Sequence, residues 1–191
     1  MPDAPGLELI RGEIEAAHPG AVLDTGFAQE RAVLSIDPAR VLDVLRWLRD
    51  SSGHEYRFLS SLHAADYLPA EPRFAVHYEL LNRDRCERIR VKALLHDAGR
   101  ADAEASADPS LVPSVEAGAE HLPAIDSCVG LFPTAEFQER EVFDFFGIVF
   151  RGHPDLRRIL MPEDYVGWPQ RRDFPVGGEP VTFTYNERSY G

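Results

Sequence analysis

The chain has 191 residues, a net charge of −12 and a hydrophobic fraction of 44%, enough apolar material for one globular core and the wrong sign of charge for a general nucleic-acid binder. No run approaches the roughly 20 apolar residues that span a bilayer, and the opening MPDAPGLELIRGEIEAAHPG is broken by Pro, acids and Arg where a signal or transit peptide needs an apolar stretch. Cys86 and Cys128 are the only cysteines and form no CxxC, so four thiolates for an iron–sulfur cluster cannot come from this chain.

These features lead us to expect a protein made and kept in the cytoplasm, where a disulfide is disfavoured. Both cysteines then read as small buried or interface residues. Lys92 is the only lysine. Coding bias toward Arg, Ala, Pro and Gly accounts for that usage, which also suits bidentate pairing with carboxylates.

Along the chain, Leu7, Ile10, Ile14 and Ala17 recur at the spacing of a helix with one buried stripe. Short extended runs follow around Val22–Phe27 and Arg31–Ile36. Asp37-Pro38 then opens the clearest helix, with Asp37 as cap and Val41, Val44, Leu45 and Leu48 on one face. Phe58–Leu62 reads as a strand. Phe74, Val76, Tyr78 and Leu80 alternate with Ala75, His77 and Glu79, and Ile89, Val91, Ala93 and Leu95 alternate with Arg88, Arg90, Lys92 and Leu94. With Asn82–Arg85 as the turn, that pair predicts a β-hairpin with one core face and one basic, outward face.

From His96 to about Ser127 periodicity is lost, and a flexible loop is expected. Thr134 begins a further helix, TAEFQEREVFDFFG, which Gly147 is placed to end. Pro/Gly punctuation then recurs, and residues 151–191 read as extended. Leu156, Ile159, Leu160, Met161, Tyr165, Trp168, Phe174, Phe183 and Tyr185 in that stretch need cover, some from the domain itself and some from a partner. The fold class expected is α+β: a mainly antiparallel sheet with helices on one face, followed by an extended C-terminal tail. The divisions are a domain over 1–95, a loop over 96–133, a helix and short segment over 134–150, and the tail over 151–191.

The densest ionisable group is Glu139, Arg140, Glu141 and Asp144, followed by His153, Asp155, Arg157 and Arg158. At 100° per residue Val142, Phe145 and Phe146 share one side, with Arg140, Glu141 and Asp144 roughly opposite. Arg140 and Asp144 are one turn apart and close enough to pair, with Arg157 and Arg158 as further partners once the chain turns at Gly152-His153-Pro154. A metal site is a poor fit, since there is no HExxH and arginines surround the carboxylates. There is no GxSxG, GxGxxG or GxxxxGK[ST], and Gly177-Gly178 is a flexible pair rather than a phosphate cradle. The pairs Arg157-Arg158 and Arg171-Arg172 suit an anion or lipid headgroup, but carboxylates within a complex suit them better.

Residues 139–159, EREVFDFFGIVFRGHPDLRRI, resemble the signature of the respiratory complex I 30 kDa subunit family, the C-type subunits of the bacterial proton-translocating NADH:quinone oxidoreductase. Glu139, Arg140, Glu141, Asp144, Phe145, Phe146, His153, Arg157 and Ile159 occupy its fixed positions, and Gly147, Pro154 and Arg158 lie among them. The stretch LMPEDYVGWPQRRDFP, ending in Asp173, Phe174 and Pro175, is similar to the family's usual ending. RFLSSLHAADY, RFAVHYELL, RIRVKALL and Val112-Pro113-Ser114 resemble its upstream segments. Two departures stand out: an insertion from about Glu116 to Cys128, and Phe137 where the family often has Trp.

The resemblance implies a non-catalytic subunit of the enzyme's peripheral arm, held at the cell membrane on the cytoplasmic side through the complex alone. It implies no cofactor in this chain, with FMN and iron–sulfur clusters in partner subunits. The partners it implies are chiefly the large quinone-site subunit and the terminal iron–sulfur subunit, with no nucleic acid. The same resemblance would suit the equivalent subunit of a membrane-bound hydrogenase or another complex I-like oxidoreductase. A stand-alone hydrolase would instead need Glu139, Glu141 and His153 to converge in an open pocket.

Overall fold

The computed structural model describes residues 1–97 and 122–175. Helix α1 (Ala4–Ala17) is capped by the Asp3 carboxylate, which accepts the Gly6 N–H, and it buries Leu7, Ile10 and Ile14. Strands β1 (Val22–Ala28) and β2 (Arg31–Ile36) follow as an antiparallel pair. The Asp37 carboxylate accepts the Ala39 N–H and starts a single 3₁₀ turn over Pro38–Arg40. That turn feeds α2 (Val41–Asp50), which buries Val41, Val44, Leu45 and Leu48. The expected cap is therefore present, with a tight turn inserted between cap and α-helix.

Strands β3 (Phe58–Asp66), β4 (Phe74–Asn82) and β5 (Glu87–Leu95) complete a five-stranded sheet in the order β1-β2-β5-β4-β3. Every neighbouring pair is antiparallel except β2–β5, which is parallel. Helix α3 (Ala135–Phe146) packs beside β3. A second, parallel pair joins β6 (Ala124–Asp126) to β7 (Val149–Arg151) across it. Residues from all three helices and the alternate positions Val76, Tyr78, Leu80, Ile89 and Val91 share one core, so the helices lie on one face of the sheet. The architecture is α+β.

Several expectations need correction. The second face of β4 is not open: Ala75, His77 and Glu79 are all buried. Arg31 and Arg90 converge on the Glu79 carboxylate at 3.3 and 2.5 Å, and His63 stacks on His77 with ring centroids 5.1 Å apart. Long side chains lying flat, not a helix layer, cover this face. Cys128 is buried, but Cys86 is exposed, in the β4–β5 turn with φ +52°. Strand β6 lies inside the stretch expected to be loop, being three residues long and so below any periodic signal. Most of that loop, Val112-Pro113-Ser114, the first six residues of the insertion (116–121), Gly177-Gly178, Phe183 and Tyr185 lie outside the described residues.

Leu48 is fully buried, whereas Leu160 is 60% exposed. We expect Leu48→Ala to cost the full chain about 2–5 kcal/mol and Leu160→Ala to leave its stability unchanged, as read by urea unfolding followed by circular dichroism.

Candidate functional site

The signature residues build an interlock between α3 and the segment that wraps it. Helix α3 ends at Gly147, whose φ of +69° only glycine adopts without strain. A helix leaves its last four carbonyls without intrahelical partners, and here each has one. The Phe143 carbonyl accepts the Gly147 N–H at 2.9 Å. The Asp144 carbonyl accepts Arg158 Nη1 at 3.0 Å. The Phe145 carbonyl accepts the Gln170 N–H at 3.1 Å, and the Phe146 carbonyl accepts Arg171 Nε at 2.7 Å. Three of the four partners come from the wrapping segment.

Asp144 is the centre of the interlock. Its side chain is inaccessible; Oδ1 accepts Arg158 Nη1 at 2.8 Å, and Oδ2 accepts the backbone N–H groups of Ile159, Leu160 and Met161 at 3.0, 2.7 and 2.8 Å. Burial alone would raise this carboxyl's pKa. The N–H groups of Met161 and Leu160, with Arg158 and the N–H of Ile159, outweigh it and hold the group below its ordinary range. Arg158 also donates to the Gly167 carbonyl at 2.8 Å, with its guanidinium 4.6 Å from the Trp168 ring centroid and 5.7 Å from that of Tyr165.

Arg140 does not pair with Asp144. It donates to the carbonyls of Arg157 and Arg158, both at 3.2 Å, and reaches Asp155 only at 3.9 Å. The reason is directional: the wrapping backbone passes over that face of α3, and its carbonyls and N–H groups claim both side chains. The face expected to carry a charge network is buried, apart from Glu141.

Glu139 is engaged elsewhere. Its oxygens accept Ser127 Oγ at 2.6 Å and the Cys128 N–H at 2.7 Å, pinning the turn after β6. Burial raises its pKa, which the bonds from Ser127 and Cys128 only partly offset. His153 lies 3.0 Å from the Glu136 carbonyl through Nε2 and accepts the Asp155 N–H at Nδ1, which assigns the proton to Nε2. Glu139 and His153 are thus bonded to different partners, with both Glu139 oxygens occupied, and Glu141 is exposed. Among the described residues no group of three or more His, Cys, Asp or Glu side chains converges as a metal site. Arg157 is exposed and pairs with its neighbour Asp155 at 2.9 Å. Pro154 sits in the exposed turn before it.

The last part of the wrap is fastened to the far end of the sheet. Arg73, at the start of β4, is 1% exposed and meets Asp66 and Asp97 at 2.7 Å and Asp173 at 2.6 Å. The Arg172 N–H adds a bond to Asp66 at 2.8 Å. Phe174 stacks on Tyr165, and Pro175 is the last described residue. Sequence reasoning does not single out Arg73. Its only signal there is a lone arginine at the head of an apolar strand. Residues 152–175 hold no helix or strand, and their apolar residues divide: Trp168 and Leu156 pack back on the domain, while Ile159, Leu160 and Val166 remain exposed.

The family described as "Respiratory-chain NADH dehydrogenase, 30 Kd subunit" matches residues 34–180, a span that takes in the whole interlock. The C-type subunit of NADH-quinone oxidoreductase from Roseiflexus sp. (strain RS-1) is 42% identical over 176 residues, covering 91% of this chain and 87% of its own. The C-type subunit from Herpetosiphon aurantiacus is 40% identical over 154 residues, covering 81% and 77%. Among solved structures, a chain of the membrane-bound sulfane sulfur reductase, an archaeal respiratory membrane complex, superposes with a TM-score of 0.61 at 22% identity. It covers 88% of this chain and 85% of its own, a likeness of fold.

The interlock makes its carboxylates testable. Asp144→Asn replaces an acceptor with a donor opposite Arg158 or the three N–H groups, and should cost about 3–5 kcal/mol at neutral pH. Because the folded-state pKa of Asp144 is lowered, its stabilisation is present above the ordinary carboxyl range and is lost as pH falls through the folded value. Glu139 has the opposite sign: stability falls as pH rises from the ordinary value through the raised one. Glu139→Gln should therefore be nearly neutral in stability and should flatten that part of the profile, as thermal unfolding across pH would show. Separately, a Cβ on Gly147 would lie 2.5 Å from Trp168 Cε2. Gly147→Ala should lose at least about 1–2 kcal/mol from the left-handed backbone alone. In a Trp47→Phe background, it should also red-shift the fluorescence of Trp168.

Proposed function

The chain belongs to the respiratory-chain NADH dehydrogenase 30 Kd subunit family, and on that premise we propose that it is a non-catalytic structural subunit of an NADH:quinone oxidoreductase. It sits in the peripheral arm on the cytoplasmic side of the cell membrane, against the large quinone-site subunit and the terminal iron–sulfur subunit. FMN and the iron–sulfur clusters are carried by partners, which pass electrons from NADH to quinone and couple the transfer to proton translocation. This chain positions the parts that do so.

The observation that supports this reading is where the signature's polar atoms go. Asp144, Glu139 and Arg140 spend their hydrogen bonds on shaping the chain itself, and groups used in this way are not poised to move a substrate's proton or electron pair. What the wrap presents outward is Ile159, Leu160 and Val166 beside the exposed Arg157. Exposed apolar groups with charged neighbours mark a protein–protein contact surface, where arginine is enriched. Among the described residues no helix is long and apolar enough to cross a membrane, so attachment to the membrane is assigned to the complex.

The test is a tagged pull-down from solubilised native membranes, with co-purifying proteins identified by mass spectrometry. Recovery of the quinone-site subunit, iron–sulfur subunits and a flavin/NADH module supports the proposal. Hydrogenase subunits in their place would move the chain to the sister machine, and a chain that came down alone would overturn the scaffold reading. The double variant Leu160→Asp, Val166→Asp should fold with an unchanged melting temperature yet lose most of its co-purifying partners.

A further inference from the structure

The side of the sheet opposite the helices holds a cleft that the proposed role does not use. Its floor is formed by Val33 and Ser35 of β2 and His77 of β4. Lys92 and Arg90 of β5 and Tyr67 stand around it, and Asp24, Gly26, Phe27 and Ala28 form the side at edge strand β1. The volume is about 200 Å³, below the roughly 300–1,000 Å³ of small-molecule sites. It has room for an inserted side chain, not for a cofactor.

Charge selects the kind of side chain. Arg90 and Arg31 share the single Glu79 carboxylate. Lys92 makes no ion pair with a described carboxylate; its ammonium lies 4.8 Å from the Tyr67 ring centroid. His77, whose pKa burial lowers to about 3, is neutral and adds no charge. Asp24 is the one acidic residue of the lining. A chain of net charge −12 thus gathers a cationic surplus at one small cleft.

Gly26 points independently to an occupant. It lies within β1 opposite Val33, and its φ is not in the left-handed region. A Cβ built on it meets nothing within 4 Å. Nothing in the described chain therefore requires glycine, although glycine within a strand costs about 0.5–1 kcal/mol relative to alanine. Glycine in a strand interior marks a bulge, a tight bend or a close approach by another backbone, and the register shift of β1 lies between Val22 and Asp24, not at Gly26.

We infer that this cleft is a docking site for a neighbouring subunit of the same complex, whose backbone crosses Gly26 and places an Asp or Glu carboxylate against Lys92. The inference rests on the chain's being a subunit of such a complex.

The sole lysine makes the site directly testable. The purified wild-type complex is treated with a carbodiimide, which joins an amine to a carboxylate in contact with it, and cross-linked peptides are sequenced. A bond from Lys92 Nζ to an Asp or Glu of another subunit is expected. Gly26→Leu, which fills the cleft without backbone strain, should cut that cross-link severalfold while the isolated chain keeps its melting temperature. A Lys92 bond only to this chain's own carboxylates, or a Lys92 amine labelled as fast in the complex as in the free chain, overturns the inference. So does a Gly26→Leu chain that assembles and cross-links like wild type. In each of these results the complex itself is still recovered, so the docking site fails and the subunit role stands. If the wild-type chain recovers no partners, both fall.

Discussion

One buried carboxylate sets the path of the segment that wraps α3. Asp144 sits at the end of α3 with four donors on its two oxygens, three of them backbone N–H groups of consecutive residues. Burying a carboxylate costs several kcal/mol, and only a dense set of donors returns that cost. The carboxylate therefore dictates the backbone path of residues 158–161, which sets Trp168 on Gly147 and brings Arg171 to the end of the helix.

Two carboxylates on the same helix show how burial and hydrogen-bond donors compete. Glu139 and Asp144 are equally inaccessible, yet their pKa values move in opposite directions. Glu139 sits among more densely packed atoms, and the Ser127 hydroxyl with the Cys128 N–H and thiol does not offset that burial. Asp144 has three N–H groups and Arg158, and burial loses. The clustered charges of the signature are thus not a shared network. They are separate fastenings, one to the turn after β6 and one to the wrap.

Much of the fold was legible because it follows periodicity. The stripes of α1 and α2, the alternation of β4 and β5, and the stop at Gly147 all appear in the sequence at their expected positions. What was not legible depends on contacts between residues far apart in the chain. A helical wheel places Arg140 and Asp144 in reach of each other, but it cannot show that a passing backbone will outbid both. The second face of β4 escapes a sequence reading for a similar reason, since His77 and Glu79 are polar and their cover comes from side chains of other strands. Arg73 shows only as a lone arginine at the head of an apolar strand, because its three carboxylates come from β3, the stretch just past β5 and the wrap.

The Arg73–Asp173 bond joins residues 100 positions apart, and the Arg172–Asp66 bond spans 106. Chains emerge from the ribosome amino end first, and domains begin to fold as they emerge. The sheet, its helices and the Arg73 anchor are thus synthesised before the segment that fastens to them. Until Gln170 and Arg171 arrive, the last two carbonyls of α3 lack their partners. The surface bearing Ile159, Leu160 and Val166 takes shape only when the wrap closes, so a half-made chain does not yet display it.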